Sequence, residues 1–490
     1  KGPLGQRTES QFLNDDMTDY LARQSRGYWP TMVETRVDGG QPHRFFGPLG
    51  SGVGGSSVFY AAAAERPERH DLESTNAMPH PVGGWPVGYD AFRPYYDQAE
   101  AALSVRGEAD PLSDLPAPDL AAGPLKPAEA ALFDDLRDAG LHPYRAHEAL
   151  RRVDGCGDCL GHKCPRPCKM DGRSAGVEPA LATGNAALLA DCTVLELLEA
   201  EGRITSLRVR CGGQDRVLQG EIIVLAGGAL HSPGLLLRST GTHAEGCANA
   251  SGWVGRGLMF HLNEMVAVWP RRGSPTVGAT RSLAFRDLYS HEGQRLGLVQ
   301  SMGVAAEAGR IADFLKQMIA RTALRRVPGL GKAATVLARL GARVFGSATV
   351  FVGVIEDIAY PDNRVRPHPD DPEMPLIDYR IPDELKDRRS LFRRAFRQKL
   401  RRHRTLFLTF APLLNYGHPC GTLRFGTDPA SSVLNPDCRA HDLDNLYVTD
   451  ASFFPSAMGV NPSLTIAANA LRVADLVAAR LAKRQTRKAS

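Results

Sequence analysis

His418 sits in the string Gly417-His418-Pro419-Cys420-Gly421-Thr422, and Asn461-Pro462 follows 43 positions after it. Between them stands Asn445-Leu446-Tyr447-Val448-Thr449-Asp450-Ala451-Ser452. A histidine beside a Gly-rich turn, then a strand ending in an acid, then an Asn-Pro helix start, suits a buried base held against a cofactor. Imidazole titrates near neutrality, so His418 can take a proton from a substrate hydroxyl. The amide of Asn461 can orient a substrate oxygen without adding charge. Pro462 presets a helix start, whose positive end favours electron density beside it. An isolated histidine is more often a hydrogen-bonded structural residue, so the pair needs its surroundings to carry the argument.

A second group of chemically capable residues lies upstream. Four of the nine cysteines fall within thirteen residues, as Cys156, Cys159, Cys164 and Cys168. Such clustering favours a metal or redox site over a secreted disulfide framework. Thiolates close in sequence can hold an iron–sulfur cluster or a structural zinc. Structural thiols or disulfides remain the plain alternative.

Several elements must position these groups. Gly50-Ser-Gly-Val-Gly-Gly-Ser-Ser57 is a turn that exposes backbone N–H groups able to hold phosphates. It is expected to run into a helix over 61–65. Residues 89–100 read as an aromatic helix after Gly84-Trp85-Pro86. Residues 110–127 form a surface connection. Residues 193–209 read as strand, turn at Gly202, and strand. Residues 221–226 are an apolar strand meeting Gly227-Gly228, with a helix starting near Ser232-Pro233. This strand–Gly–helix unit suits a doubly wound α/β sheet, where ligands sit at the carboxyl ends of strands. A last helix covers about 463–483 and ends in a frayed basic tail.

These strings together resemble the glucose-methanol-choline (GMC) family of flavin oxidoreductases. Gly54-Gly55-Ser56-Ser57 resembles its GGSS loop, with Tyr60 in place of a usual Asn. Residues 85–100 resemble its WP…PYY…AE segment. Ala226-Gly227 with Ser232-Pro233 resembles its AAGA…SP…LL segment. Gly255-Arg-Gly-Leu-Met-Phe-His261 resembles GRNLMDH, with Phe260 replacing the acid. The resemblance implies an α/β fold: a Rossmann-like doubly wound FAD-binding domain, discontinuous in sequence, beside an α+β, sheet-based substrate domain. The former is expected over 1–100, 170–261 and 411–490, the latter over 262–410, with 101–169 as a connection carrying the cysteines. It implies FAD as cofactor, His418 and Asn461 as catalytic residues, and a small-molecule alcohol as substrate. It places Gly54, Gly55, Ser56, Ser57, Val194, Ala226, Gly227, Asp450, Ala451, Asn461 and Pro462 around the flavin nucleotide. The spacing of Cys159, Cys164 and Cys168 is similar to a three-iron cluster motif of some bacterial members, which pass electrons to a cytochrome. An electron-acceptor protein or quinone, and a dehydrogenase rather than an oxidase, would follow from a cluster. Non-redox lyase chemistry on the same fold, or a truncated non-catalytic fragment docking through a basic face, stay open. The family's opening strand–GxGxxG–helix–strand unit is not present in this sequence, which implies about thirty or more missing residues and poor FAD binding by this chain alone.

The bulk numbers set limits around that reading. At 490 residues two or more domains are expected. Hydrophobic and charged contents of 43% and 23% are those of a globular protein. A net charge of +5 gives no reason to invoke nucleic acid. No apolar run reaches the roughly 18 residues a membrane span requires. Cytoplasmic or membrane-associated placement is expected, with any signal lying on the missing N-terminus. Segment 311–346 carries seven Lys/Arg and one Asp, and 393–404 is also basic. Both read as solvated helix faces, with peripheral membrane contact through 311–346, an acidic partner or a substrate lid as alternatives.

Overall fold

The computed structural model describes residues 27–489 except 155, 157–163, 165, 167, 240, 272–280 and a set of positions within 304–328. The largest sheet has six strands. Its centre is Leu262–Val268 paired antiparallel with Thr349–Ile355. The largely apolar runs of these strands, LNEMVAV and TVFVGVI, are buried over most of both faces, and Phe285, Phe351, Phe392 and Phe396 fill the core between this sheet and the helix Asp383–Lys399. A four-stranded sheet adds Val33–Val37 in parallel to Pro375–Tyr379, so chain segments far apart in sequence share one sheet.

The doubly wound part is a short parallel pair, Ile223–Leu225 beside Leu446–Val448. The helix His231–Arg238 follows the first of these strands and the helix Ser463–Ala489 closes the chain. The aromatic helix Tyr89–Leu103 packs on that last helix, with Tyr96 Oη 3.1 Å from Thr465 Oγ1. Trp85 is a packing anchor: it meets Phe425 and Phe453 edge-on, and its Nε1 donates to Ser456 Oγ at 2.9 Å. The ribbon Cys192–Ala200 and Arg203–Cys211 turns at Gly202, whose φ of 70° favours glycine, and gains a third strand, Gln214–Leu218. Cys192 and Cys211 form a disulfide across this ribbon.

Two expectations need correction. Residues 61–65 are not helical. Ala64 N–H donates to His147 C=O and Ala149 N–H to Ala62 C=O, and Ala62 sits at φ 58°, so tertiary pairing overrides alanine's helix preference. The basic run 393–404 keeps Arg394, Arg397, Arg401, Arg402 and Arg404 exposed, as a solvated face does. Just before it, Arg388 is buried and donates to the carbonyls of Arg295 and Glu356, while Arg389 bonds to the buried Glu264 and to Thr409 C=O. The basic tail does not fray near 483, because the helix continues to Ala489. Much of 311–328 lies outside the described residues. The helix Leu330–Phe345 lies within them and exposes Val336, Leu337, Leu340 and Val344. No helix among the described residues is long and apolar enough to cross a membrane.

Candidate active site

The strand Leu262–Val268 begins beside the His418 turn. Met259 and Cys420 exchange both backbone hydrogen bonds, at 3.0 and 3.1 Å, and Asn415 N–H donates to His261 C=O at 2.8 Å. This bridge sets two imidazoles face to edge, with His418 Nδ1 3.0 Å from His261 Nδ1. His261 Nε2 in turn lies 3.0 Å from Met458 C=O. Burial pushes His261 down to about 4. His418 is held well below its ordinary range, first by desolvation and then by its histidine neighbour. Both rings are therefore neutral near pH 7, the state a proton acceptor needs.

Asp357 braces this arrangement from below. Its Oδ2 accepts Phe260 N–H at 2.9 Å and Tyr379 Oη–H at 2.5 Å, and its C=O accepts Ala457 N–H at 3.3 Å. The residues before His261 and before Met458 are thus tied to one side chain and its backbone. Met458 itself adopts φ 64°. Gly459 C=O accepts Leu298 N–H at 2.8 Å, and a Cβ at Gly459 would meet the Tyr289 ring at 2.6 Å. Three residues after Met458 comes Asn461, buried, with an Oδ1 that has no partner among the described residues. Pro462 stands just before the helix Ser463–Ala489 and its C=O accepts Ile466 N–H at 3.0 Å. His418 and Asn461 are thereby connected through His261 and the loop that carries Met458.

The chain leaving His418 is laced to the Asp450 segment. Gly421, Leu423 and Phe425 donate backbone N–H groups to Ala451, Ser452 and Phe453 at 2.8–3.0 Å. Asp450 Oδ2 accepts Gly228 N–H at 2.9 Å and Ser232 Oγ–H at 2.5 Å. Its Oδ1 accepts Ser452 N–H at 2.9 Å and also meets the Ser452 hydroxyl. Gly227 N–H donates to Ser232 Oγ at 3.0 Å. Ala226, Gly227, Asp450 and Ala451 therefore meet at the carboxyl ends of the two parallel strands. Val194 lies on the separate ribbon, paired with Val209.

Gly54, Gly55, Ser56 and Ser57 form a tight turn rather than the start of a long helix; the 3-10 helix spans only Gly55–Val58. Gly54 at φ 93° and Gly55 at φ 59° make the turn. Ser56 Oγ accepts Gly50 N–H at 3.0 Å, and Ser57 Oγ accepts Gly172 N–H at 2.9 Å. Tyr60 Oη donates to Met170 C=O at 2.7 Å, so this non-family residue ties the turn to the cysteine segment.

In that segment Cys168 Sγ lies 3.3 Å from Cys156 Sγ, and Cys164 and Cys168 are both buried. Contact with Cys164 and burial push the Cys168 thiol up, toward the neutral form. Cys159 lies outside the described residues. Among the described residues no group of three or more His, Cys, Asp or Glu side chains is arranged to hold a metal.

Two residues at the site were missed from sequence. His261 is visible at the end of its motif, but nothing local pairs it with a residue 157 positions away. Asp357 sits in an apolar strand exit with no motif at all.

The family model described as GMC oxidoreductase matches in two parts, over residues 34–263 and 359–470. The chain is 29% identical to paromamine 6'-oxidase of Streptomyces fradiae, covering 97% of this chain and 85% of that one. It is 24% identical to 2-methyl-1,2-propanediol dehydrogenase of Mycolicibacterium austroafricanum, covering 88% and 80%. The solved structure of pyridoxine 4-oxidase from Mesorbium loti superposes with a TM-score of 0.59 at 20% identity, over 96% of this chain and 93% of that one. With the histidine, the Asn-Pro helix start and the Asp450 junction all inside or between the matched regions, the chain belongs to the GMC oxidoreductase family.

Proposed function

We propose that this chain oxidises an alcohol with FAD as hydride acceptor and His418 as general base. The observation that carries the reading is a neutral, half-buried His418 anchored by its Nδ1 on His261. A site for the cofactor fits the residues present. Among the described residues, Asn461 Oδ1 is buried without a partner, and Gly55 and Gly228, both at positive φ, have nothing within 4 Å of where a Cβ would stand. Gly54, Gly55, Ser56 and Ser57 would hold phosphates; Ala226, Gly227, Asp450 and Ala451 would line the nucleotide; Val194 would meet the adenine through its backbone; Asn461 and Pro462 would face the ring. When bound, FAD supplies a two-electron acceptor.

The residues do the rest. His418 accepts the hydroxyl proton of the alcohol while the carbon-bound hydrogen departs with its electron pair, leaving a carbonyl. Asn461 donates from its amide to the substrate oxygen and keeps it in line with the imidazole.

For substrates, paromamine and 2-methyl-1,2-propanediol are the first to try, because the relatives are named for acting on them. The test is anaerobic bleaching of the flavin by a panel of alcohols that includes both. Bleaching supports the reading, and its slowing in His418→Ala assigns the base. A flavin that stays oxidised with every alcohol overturns it and favours a lyase. Re-oxidation by air or by a quinone then separates oxidase from dehydrogenase.

A further inference from the structure

We propose that His261 is a positioning residue that fixes the tautomer of His418, so that Nε2 of His418 presents a bare lone pair to the substrate hydroxyl. The inference rests on the reading of His418 as the base and specifies which atom does the work.

The argument follows hydrogen bonds from a group that has no choice. A backbone carbonyl can only accept. Met458 C=O lies 3.0 Å from His261 Nε2, so Nε2 carries the hydrogen. A neutral imidazole holds one N–H, which leaves His261 Nδ1 as an acceptor. His418 Nδ1 lies 3.0 Å from that acceptor and must donate to it. The one hydrogen of neutral His418 is then spent on Nδ1, and Nε2 is left with its lone pair.

The opposite tautomer would place two bare nitrogens 3.0 Å apart and leave the Nδ1 pair without a proton. His261 is fully buried, so water cannot mend that fault. A free histidine side chain prefers its hydrogen on Nε2, and a base carrying a hydrogen there could not accept one at that atom. The carbonyl at Met458 thus acts through two rings on the reacting nitrogen.

The charged groups around the pair leave this logic intact. Glu356 lies on the strand exit beside Asp357 and is paired with Arg295 at 2.7 Å. Asp357 is turned to Phe260 N–H and Tyr379 Oη–H. Neither carboxylate has a hydrogen bond to either ring among the described residues.

The test reads protonation directly. Full-length protein labelled with [15N]-ring histidine is examined by two-bond 1H–15N correlation at pH 7.5, with His418 and His261 assigned from His418→Asn and His261→Asn. We expect His418 with a protonated Nδ1 and bare Nε2, and His261 with a protonated Nε2. A protonated Nε2 on His418 overturns the inference, whatever the enzyme then does with alcohols.

Three variants add a kinetic arm, with paromamine and 2-methyl-1,2-propanediol as probes. His261→Asn keeps an acceptor near the Nδ1 position but loses the donor to Met458. His261→Gln can reach Met458 and loses the acceptor. His261→Leu loses both. Gln and Leu should slow flavin reduction at least tenfold at unchanged half-saturation, and Asn should recover most of the rate. A merely structural role predicts the reverse order, since Gln keeps the loop bond. Should Gln and Leu fail to fold, a slow but flavin-loaded Asn variant overturns the inference. His418→Ala in the same assay separates the two claims: a slow His418→Ala with a fast His261→Gln sinks the relay and keeps the base, and a fast His418→Ala sinks the base.

Discussion

Asp450 and Ser232 meet at 2.5 Å across 218 positions of sequence, and their bond ties the turn after Ile223–Leu225 to the end of Leu446–Val448. The same carboxylate takes Gly228 N–H, Ser452 N–H and the Ser452 hydroxyl, so both of its oxygens are occupied by protein donors. Its task in this structure is to hold the junction around which Ala226, Gly227 and Ala451 gather.

Asp450→Ala should therefore act on the fold before it acts on the chemistry. It strands buried donors, and such losses cost about 3 kcal/mol or more together. Urea unfolding should show a lower midpoint with little change in slope. Asp450→Asn keeps one acceptor oxygen and should lose roughly half as much. An Asp450→Ala protein as stable as the parent would show that the junction is held by something else.

His418 predicts the shape of the pH–rate curve. Desolvation, followed by the neighbouring His261, lowers its pKa from the ordinary 6.5, and the unprotonated ring is the active form. The rate of flavin reduction should be flat above pH 6.5 and fall only as pH drops well below it. A limb centred at or above 6.5 would mean that a different group is the base.

His261 makes a second pH prediction, this one about stability. Its pKa is about 4 when folded and near 6.5 when unfolded. Between these values the unfolded chain binds more protons, so the contribution of His261 is complete above pH 6.5 and is lost as pH falls toward 4. The total is roughly 3.5 kcal/mol, from 2.5 pH units at about 1.4 kcal/mol each. Asp357 also titrates abnormally, its carboxyl pushed up by burial to about 7, with the opposite pH sign. The clean measurement is the difference between parent and His261→Leu across pH 4–7.5, in which Asp357 is common to both. That difference should shrink toward acid; a constant difference would refute the prediction.

The sequence carried the site in unequal parts. His418, Asp450 and Asn461 were readable because each sits in a contiguous string whose residue types have a mechanical reason to be there. The parallel pair and its helix were readable for the same reason, as an apolar run meeting glycines and then Ser232-Pro233. What escaped depended on contacts between distant segments. The alanines at 61–65 carry a helical composition, but the strand-like bonds of Ala62 and Ala64 to 147–149 decide their conformation. His261 and Asp357 are ordinary residues locally, and only the bridge between Met259 and Cys420 makes them part of the site.

Asn461 offers a test that separates function from packing. Its Oδ1 is buried and has no partner among the described residues, so the folded protein gains little from it. Truncating an unsatisfied polar atom is close to neutral for stability, or mildly favourable. Asn461→Ala should keep its thermal midpoint within a few degrees and retain flavin. Its reduction rate should nevertheless fall about tenfold, since orientation of the substrate oxygen is lost. A large drop in midpoint with an unchanged rate would assign the residue to the fold.

The adjacent glycines of the Gly54–Ser57 turn should respond in opposite ways to one added methyl group. At Gly54 a Cβ would meet Val58 at 2.8 Å and Arg173 N at 2.9 Å, on a backbone already at φ 93°. Gly54→Ala therefore carries both a clash and a conformational penalty, and should destabilise by about 2–4 kcal/mol. At Gly55, φ is 59° and nothing lies within 4 Å of the new Cβ, so the penalty is the left-handed backbone alone, about 1 kcal/mol. If the space over Gly55 is where a phosphate rests, Gly55→Ala should weaken FAD binding well beyond what its small stability loss explains. Flavin titration followed by fluorescence quenching, set beside urea unfolding of both variants, reads the two effects independently. Loss of flavin from Gly54→Ala in proportion to its instability, and from Gly55→Ala out of proportion to it, is the expected pattern. Equal flavin affinity in Gly55→Ala and parent would remove this turn from the cofactor site.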